Sequence, residues 1–385
     1  MRAALRLRLL EARRRGGLLL LGIAFVAVLA IALFGGETVD GRYGLATDVA
    51  ATLGYVAAVF IGAFPLAIDR ERKRSYLPSA SPVSPWQWAL GNSAAAAVIA
   101  AVFAVTLYVA AAIGAAAGGG VETWAVTRVG DEGMFRLGPT PQRIHVPADT
   151  QALRLRARTF LVADESLGTA DTAVIGISGR GYEIHDDRPV TVPVDVQQSG
   201  DDRVVIIRNR SPEYAVGIDI GSLRALTERR SFFPNSLAAS IAPALGAGAL
   251  AALGAAAGAN LGAPVAALAL MLLLLLGSLK GFLLDVIEYE GTLKEAQSTV
   301  VQHGDHTHGG GSEIRDHPLR AEAKRVLAGM LQVVPTISEL DRTGAVATGE
   351  WIRARRIDSA AYLLAGALAV AAVLGGLGIS MRRTP

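Results

Sequence analysis

The sequence predicts an α-helical polytopic membrane protein with six transmembrane helices and an inserted extracytoplasmic all-β domain of sandwich-like form. Three observations support this prediction. The chain is 51% hydrophobic and only 18% charged, whereas an ordinary soluble domain has about 25% charged residues. Charged residues are absent from several long apolar runs. Between two of those runs, apolar and polar residues alternate, which is typical of half-buried strands.

Three of the apolar runs predict one membrane-spanning helix each. Residues 16–36, 49–68 and 359–381 contain no Asp, Glu, Lys or Arg. A helix of about 20 apolar residues crosses roughly 30 Å of hydrocarbon. The first run follows an arginine triplet at 13–15, and a cleaved signal peptide is the alternative interpretation of it. Its apolar core is longer than the roughly 7–15 residues of a signal peptide, which favours a retained anchor.

Two longer uncharged runs predict the remaining spans. Residues 75–121 hold a Ser- and Pro-rich loop and then one span that starts near Trp88. Residues 231–279 are long enough for two spans, with a turn at 258–264 where Gly, Asn and Pro break the helix. Buried helices of a soluble protein are the alternative, but the length of these runs favours a membrane protein.

The arginines beside the spans predict the orientation of the chain, because positive residues next to spans tend to stay in the cytoplasm. Both ends of the chain are basic. The loop after the second span is basic as well, and an even number of spans puts all three on one side. We therefore expect a multi-pass protein of the inner or plasma membrane with cytoplasmic amino and carboxyl termini. The arginines and lysine concerned are Arg2, Arg6, Arg8, Arg13, Arg14, Arg15, Arg70, Arg72, Lys73, Arg74, Arg382 and Arg383.

One feature favours a different topology. Arg353, Arg355 and Arg356 precede the last span on its predicted outer side. A five-span chain, in which residues 231–279 cross once, would move these arginines inside but would place the carboxyl-terminal arginines outside. Six spans are favoured, because they keep both basic termini and the basic loop after the second span on the cytoplasmic side.

The six predicted spans, grouped with the segments between them, divide the chain into five parts. Residues 1–118 hold helices one to three with a cytoplasmic coupling segment at 69–88. The others are an extracytoplasmic β-sandwich-like domain at 119–232, helices four and five at 233–285, an extracytoplasmic helical segment with a His- and Gly-rich loop at 286–357, and the last helix with a short basic tail at 358–385.

The predicted β domain consists of short alternating segments. "LRLRARTFLV" at 153–162, "VTVPVDV" at 190–196 and "RVVIIRN" at 203–209 each place apolar residues on one face. Such strands, separated by turn signals, are typical of a sandwich. Pro193 indicates an edge strand, since proline cannot donate to the ladder. His185 beside Asp186 and Asp187 could serve acid–base chemistry, but a solvated turn is the favoured interpretation, and the domain is predicted to be a binding or docking module.

No cofactor is predicted on this chain. His303, His306 and His308, with Asp305, could hold a divalent metal, since imidazole suits Zn, Cu or Ni. Their spacing matches no closed site, and three glycines follow directly, so a flexible polar loop is favoured. The chain has no cysteine and therefore no thiolate or disulfide chemistry. It also lacks a phosphate-binding G-x-x-x-x-G-K-[ST] loop.

Charge also excludes several functions. The net charge of +3 does not suggest a nucleic-acid partner, because the basic excess lies beside the spans. The spans contain no ionisable residue except near their ends, as with Lys280 and Asp285. Ion-coupled carriers usually keep such residues inside the bilayer, so a secondary transporter is disfavoured.

The segment "DRERKRSYLPSASPVSPWQWALGN" at 69–92 is similar to the region after the second helix of ABC-2 type permeases. In that family a Glu-Arg stretch leads to Pro-[Val/Ile]-Ser, an aromatic run and, in many members, Leu-Gly-Lys. The motif "G-x-x-[IV]" before the last helix stands here at 349–352. The resemblance covers the six spans, this loop and the last outer segment, but not 121–230. The matching residues of the loop are Glu71, Arg72, Pro82, Val83, Ser84, Trp86, Leu90 and Gly91, with Asn92 in place of the lysine.

The resemblance implies a membrane subunit of an ABC exporter. A second permease copy would pair with this chain in the lipid membrane, and each copy would dock on a separate cytoplasmic ATPase that binds ATP and Mg²⁺. The chain itself would have no catalytic residue. The residues expected to couple it to the ATPase are Asp69, Arg70, Glu71, Arg72, Pro82, Ser84 and Trp86.

Two other functions stay open at this point. A non-transporting scaffold would anchor the β domain for an envelope or surface assembly, which the long extra domain and the featureless spans favour. A membrane-bound enzyme that uses the histidine loop and nearby acids has the least support.

Overall fold

The computed structural model describes most of the helices and strands. The contacts between residues divide the chain into two compact units. The helical unit comprises Met1–Gly119, Ser236–Gly344 and Ile352–Pro385, and the strand unit comprises Gly120–Asn235 and Ala345–Trp351. The described residues are 6–8, 10–11, 16–71, 84–129, 134–137, 140–147, 149–161, 172–177, 180–185, 189–193, 197–199, 202–210, 214–219, 222–280, 343–352 and 358–380.

Six helices of the described residues are long and apolar enough to cross a membrane, as the sequence predicts. The break between the fourth and fifth falls at Leu261 and Gly262, inside the predicted turn. The structure therefore supports a multi-pass membrane protein. The helices are α1 (Gly17–Phe34), α2 (Val39–Glu71), α3 (Pro85–Ala117), α4 (Phe232–Asn260), α5 (Ala263–Lys280), the short α6 (Thr343–Ala347) and α7 (Asp358–Ser380).

Small residues let the membrane helices approach closely. Helix α3 packs against α1, α2 and α7. Where α2 meets α4, a Cβ on Gly254 would lie 3.0 Å from the Cα of Gly62, and a Cβ on Gly258 would overlap the carbonyl oxygen of Ala63. In lipid, helix association depends on van der Waals packing, which such close approach maximises. Alanines fill the contact between α3, α4 and α7, namely Ala97, Ala249, Ala252, Ala256, Ala367 and Ala371.

The strand unit contains two antiparallel sheets. One has the order β1-β11-β4-β10-β2 with β7 paired to β4, and the other has the order β3-β9-β5-β6 with β8 paired to β9. The strands are β1 (Thr123–Arg128), β2 (Met134–Leu137), β3 (Gln142–His145), β4 (Ala152–Leu161), β5 (Thr172–Ile177), β6 (Arg180–His185), β7 (Pro189–Pro193), β8 (Gln197–Ser199), β9 (Asp202–Asn209), β10 (Tyr214–Asp219) and β11 (Arg224–Arg230).

Both sheets contribute to one hydrophobic core, so the unit is sandwich-like. Leu153 and Leu155 of β4 are buried together with Ile175 of β5 and Ile207 of β9. The alternation seen in the sequence thus corresponds to inward and outward faces. Pro193 ends β7, which pairs with β4 alone among the described strands, as expected for an edge position.

The outer face of the first sheet carries two neighbouring arginines. Register pairs Arg224 of β11 with Arg154 of β4. Like charges directly opposite each other destabilise a sheet. The carboxylate of Glu350 lies 3.8 Å from Nε of Arg224 and offsets part of this repulsion.

Glu350 belongs to a segment, Ala345–Trp351, that we call the strap. It adds to the free edge of β1 in parallel orientation. The Trp124 amide donates to the Gly349 carbonyl at 2.8 Å, and the Trp351 amide donates to the Trp124 carbonyl at 2.8 Å. The side-chain amide of Asn235 donates to the Glu350 carbonyl at 2.8 Å. A segment predicted from sequence as part of a separate outer helical region is thus grouped with the strands.

Candidate functional site

The predicted coupling residues lie at the two ends of the loop between α2 and α3. Asp69, Arg70 and Glu71 are the last residues of α2, and Ser84 directly precedes α3. Arg72 and Pro82 lie outside the described residues. Because α2 is helical through Glu71, the charged stretch continues the same helix whose apolar part, Val39–Pro65, is long enough to cross a membrane.

Ser84 fixes where α3 begins. Its Oγ accepts a hydrogen bond from the Gln87 amide at 3.3 Å, and Oε1 of Gln87 accepts from the Ser84 amide at 3.2 Å. This is a reciprocal capping box, with Pro85 at the first helical position. Such a cap contributes about 1 kcal/mol to a helix. The helix therefore starts at the loop itself, before the predicted start near Trp88.

Trp86 connects the start of α3 to the last helix. A Cβ on Gly376 of α7 would overlap the indole ring of Trp86, and a Cβ on Gly375 would lie 3.0 Å from the Cβ of Ala89. Two consecutive glycines thus make room for the first turn of α3. Trp86, a predicted coupling residue, therefore has a packing partner in α7.

Asn260 connects α4 to the same helix. Its side-chain amide donates to the Leu374 carbonyl of α7 at 3.0 Å and to the Ala256 carbonyl of its own helix at 2.9 Å. The last turn of α4, the first turn of α3 and the carboxyl-terminal part of α7 therefore meet. We call this region, from which the 72–83 loop leaves, the loop end of the helical unit.

A buried polar cluster completes the loop end. Arg8 and Asn92 are only 4% and 2% exposed. Nε of Arg8 donates to Oδ1 of Asn92 at 2.9 Å, and Nη1 of Arg8 lies 2.7 Å from Oε2 of Glu11. The side-chain amide of Asn92 donates in turn to the Trp88 carbonyl at 2.8 Å. A buried charge is tolerated when it is paired and hydrogen-bonded in this way.

The buried cation of this cluster comes from a segment far from α3 in the sequence. Nε of Arg8 lies 2.9 Å from Oδ1 of Asn92. From the sequence, Arg8 is only one of the basic residues that predict the orientation of the chain, since nothing in its neighbourhood marks it as buried. The Ser84–Gln87 cap, by contrast, has a readable "S-x-x-Q" signature.

Most of the other sequence candidates cannot be placed in the structure. His303, Asp305, His306 and His308 lie outside the described residues, as do Asp186 and Asp187. Within the described part of the chain, no group of three or more His, Cys, Asp or Glu residues is placed to hold a metal ion.

Comparisons with known proteins found no matching family model, no matching curated protein and no matching solved structure. The site is therefore interpreted from its own geometry and from the sequence resemblance described above.

Proposed function

We propose that this chain is the membrane subunit of an ATP-driven exporter of the ABC-2 type. In this proposal, the loop between α2 and α3 docks on a separate cytoplasmic ATPase, and a second copy of the chain completes the permease. The observation that supports the proposal most is the anchoring of the loop. Its second end is capped by Ser84 and packed through Trp86 against Gly376 of α7.

Such anchoring suits the transmission of force. When the ATPases bind ATP and Mg²⁺ and close, they displace the loop and with it the first turn of α3. Because Trp86 packs on α7 and Asn260 of α4 is hydrogen-bonded to α7, these helices shift as a group. Closure then favours one arrangement of the bundle by differential binding. The close small-residue contacts between helices leave few side chains to interlock against such a shift.

The proposal requires the loop end to be cytoplasmic and the strand unit to be extracytoplasmic, in the inner or plasma membrane. The distribution of arginines beside the spans supports this orientation. The scaffold alternative shares the orientation and draws support from the separate hydrophobic core of the strand unit. It differs in predicting no ATPase partner.

The orientation is tested by cysteine labelling, for which a chain without native cysteine gives no background. Single cysteines replace Ser79 in the loop and Thr140, an exposed residue of the strand unit. On intact cells we expect an impermeant maleimide to label Thr140→Cys and to label Ser79→Cys only after permeabilisation. Labelling of Ser79→Cys from outside would refute the proposed function, since no cytoplasmic ATPase could reach the loop.

The coupling role is tested by reversing two charges at the end of α2. The tagged chain is purified from membranes together with its ATPase, reconstituted, and assayed for ATP hydrolysis. We expect Glu71→Lys with Arg72→Glu to lower permease-dependent hydrolysis at least tenfold, which corresponds to roughly 1.4 kcal/mol of activation free energy. The double change keeps the net charge of the chain.

A matched control reverses an ion pair of the same type in the strand unit. Arg230 and Glu228 form an exposed ion pair on β11. We expect Glu228→Lys with Arg230→Glu to leave hydrolysis unchanged. Normal hydrolysis in the Glu71 and Arg72 variant would remove the coupling role, and purification without any ATPase would favour the scaffold.

A further inference from the structure

A cavity of about 320 Å³ lies in the helical unit beside the buried polar cluster. Its walls come from the amino-terminal segment and from α1, α2, α3 and α4. Most of the lining is apolar, and one side carries the polar groups of Arg8, Glu11 and Asn92. Cavities with apolar walls and a few convergent polar groups are typical ligand sites, and this volume is near the lower end of their range of about 300–1,000 Å³. The apolar lining includes Leu20, Phe60, Phe64, Ala96 and Ile99.

The apolar wall reaches the outer surface of the membrane helices. Leu20 of α1 is 63% exposed and Phe60 of α2 is 47% exposed, and both line the cavity. Both helices are long and apolar enough to cross a bilayer. In a membrane, this rim faces hydrocarbon, so an acyl chain can enter the cavity sideways without leaving an apolar environment.

The polar side of the cavity carries one charge of each sign. The guanidinium of Arg8 and the carboxylate of Glu11 lie 2.7 Å apart, and the Asn92 amide adjoins them. A phosphate is bound well by an arginine through charge-assisted hydrogen bonds, and an ammonium group is bound well by a carboxylate. A purely anionic headgroup would approach the Glu11 carboxylate, and a purely cationic one would approach Arg8; both arrangements are repulsive.

We propose that this cavity binds one phospholipid whose headgroup carries both a phosphate and an ammonium, as phosphatidylethanolamine does. One acyl chain lies against Phe60, Phe64 and Ile99. The phosphate contacts Arg8, and the ammonium contacts Glu11. The bound lipid fills the gap between the amino-terminal segment and the spans at the loop end. This inference does not depend on the exporter function.

The proposal is tested by native mass spectrometry of the full chain after delipidation in detergent. Phosphatidylethanolamine and phosphatidylglycerol of identical chains are titrated separately, and free glycerophosphoethanolamine serves as the headgroup without chains. We expect one phosphatidylethanolamine to bind at least tenfold more tightly than phosphatidylglycerol, or about 1.4 kcal/mol. We expect the free headgroup to bind at least tenfold more weakly than the lipid, since it lacks the acyl chain.

Variants separate the polar and apolar contributions. Arg8→Gln is expected to weaken phosphatidylethanolamine binding about tenfold. Glu11→Gln is expected to abolish the preference over phosphatidylglycerol, because it removes the carboxylate that repels the anionic headgroup. Ala96→Leu and Ile99→Phe fill the cavity, leave the Arg8–Glu11 pair intact and should abolish lipid binding. Arg6→Gln, which removes an exposed arginine of the same segment, is the matched control and should bind normally.

Several results would overturn the proposal. Equal or tighter binding of phosphatidylglycerol to the unmodified chain would indicate an anionic-lipid site. Equal binding of the free headgroup would indicate a phosphate site without an acyl chain. Full lipid binding by both cavity-filling variants would show that the lipid binds elsewhere. Thermal melting identifies any variant that fails to fold, and if Arg8→Gln is such a variant, Glu11→Gln and the cavity-filling changes decide the question.

Discussion

Replacement of Gly258 by valine is expected to prevent the helical unit from folding. Gly258 of α4 faces α2 so closely that even a Cβ would overlap the backbone carbonyl of Ala63. Backbone atoms cannot rotate away as a side chain can, so the two helices would have to separate. Separation would also break the contact between Gly254 and Gly62 next to it. Overpacking a core by side-chain atoms alone lowers the free energy of unfolding by about 1–3 kcal/mol. We expect a loss of more than about 3 kcal/mol here, because the overlap is with backbone. Such a loss is a large part of the total stability of a typical protein.

Thermal melting of the purified protein in detergent measures this effect. Gly22→Val and Gly366→Val are matched controls, because both glycines lie in membrane helices with no neighbouring heavy atom within 4 Å of the added Cβ. We expect the controls to melt close to the unmodified chain and Gly258→Val to be recovered unfolded or in very low yield. A Gly258→Val protein that melts like the controls would contradict the close contact between α2 and α4.

Gly349→Ala is expected to detach the strap from the strand unit. Gly349 has φ of 78°, in the left-handed region, which costs other residues about 1–2 kcal/mol. The added Cβ would also overlap the carbonyl oxygen of Glu122 and lie 3.0 Å from Nη2 of Arg154. The strap would then lose its hydrogen bonds to Trp124, each contributing about 1 kcal/mol. In total we expect the free energy of strap docking to fall by roughly 3–4 kcal/mol.

Hydrogen exchange followed by mass spectrometry measures strap docking directly. In Gly349→Ala, peptides that contain the Trp124 and Trp351 amides should exchange much faster, because both amides are hydrogen-bonded across the contact. Gly119→Ala is the control, since Gly119 has φ of 105° but no heavy atom within 4 Å of an added Cβ. It carries backbone strain without the clash, and the two peptides should keep their protection. Unchanged protection in Gly349→Ala would show that the strap tolerates the side chain.

Detachment of the strap should leave the loop end intact, because Trp86 and Asn260 contact α7 within the helical unit. If the exporter proposal is correct, a protein with a detached strap should still assemble with its ATPase, because the loop end is unaltered.

The sequence predicted those helices and strands whose residue pattern is complete within one segment of the chain. Uncharged runs of span length predicted the six membrane helices, because hydrocarbon excludes unpaired charge over a fixed thickness. Alternation around Arg154 and Arg156 predicted strand β4, because successive side chains of a strand point to opposite faces. The Ser84 cap was equally readable, since its partner Gln87 is three residues away.

The candidate site was predicted only in part. The loop residues between Asp69 and Trp86 came from a family resemblance, and no comparison tests their coupling role. The structure adds what the loop is anchored to, and it adds Arg8, whose burial depends on a partner, Asn92, far along the chain. A single arginine in an arginine-rich segment gives no sequence signal that it is the buried one.

The sequence by itself determined the apolar spans and the alternating strands β4, β7 and β9, because each of these depends on the spacing of residues within one segment. Only the tertiary structure distinguished Gly258, where an added Cβ would overlap a neighbouring backbone, from Gly22 and Gly366, where an added Cβ would have no heavy atom within 4 Å. It alone joined the strap to β1 and Arg8 to Asn92. The physical reason is that a contact depends on two surfaces, and a sequence pattern describes only one of them.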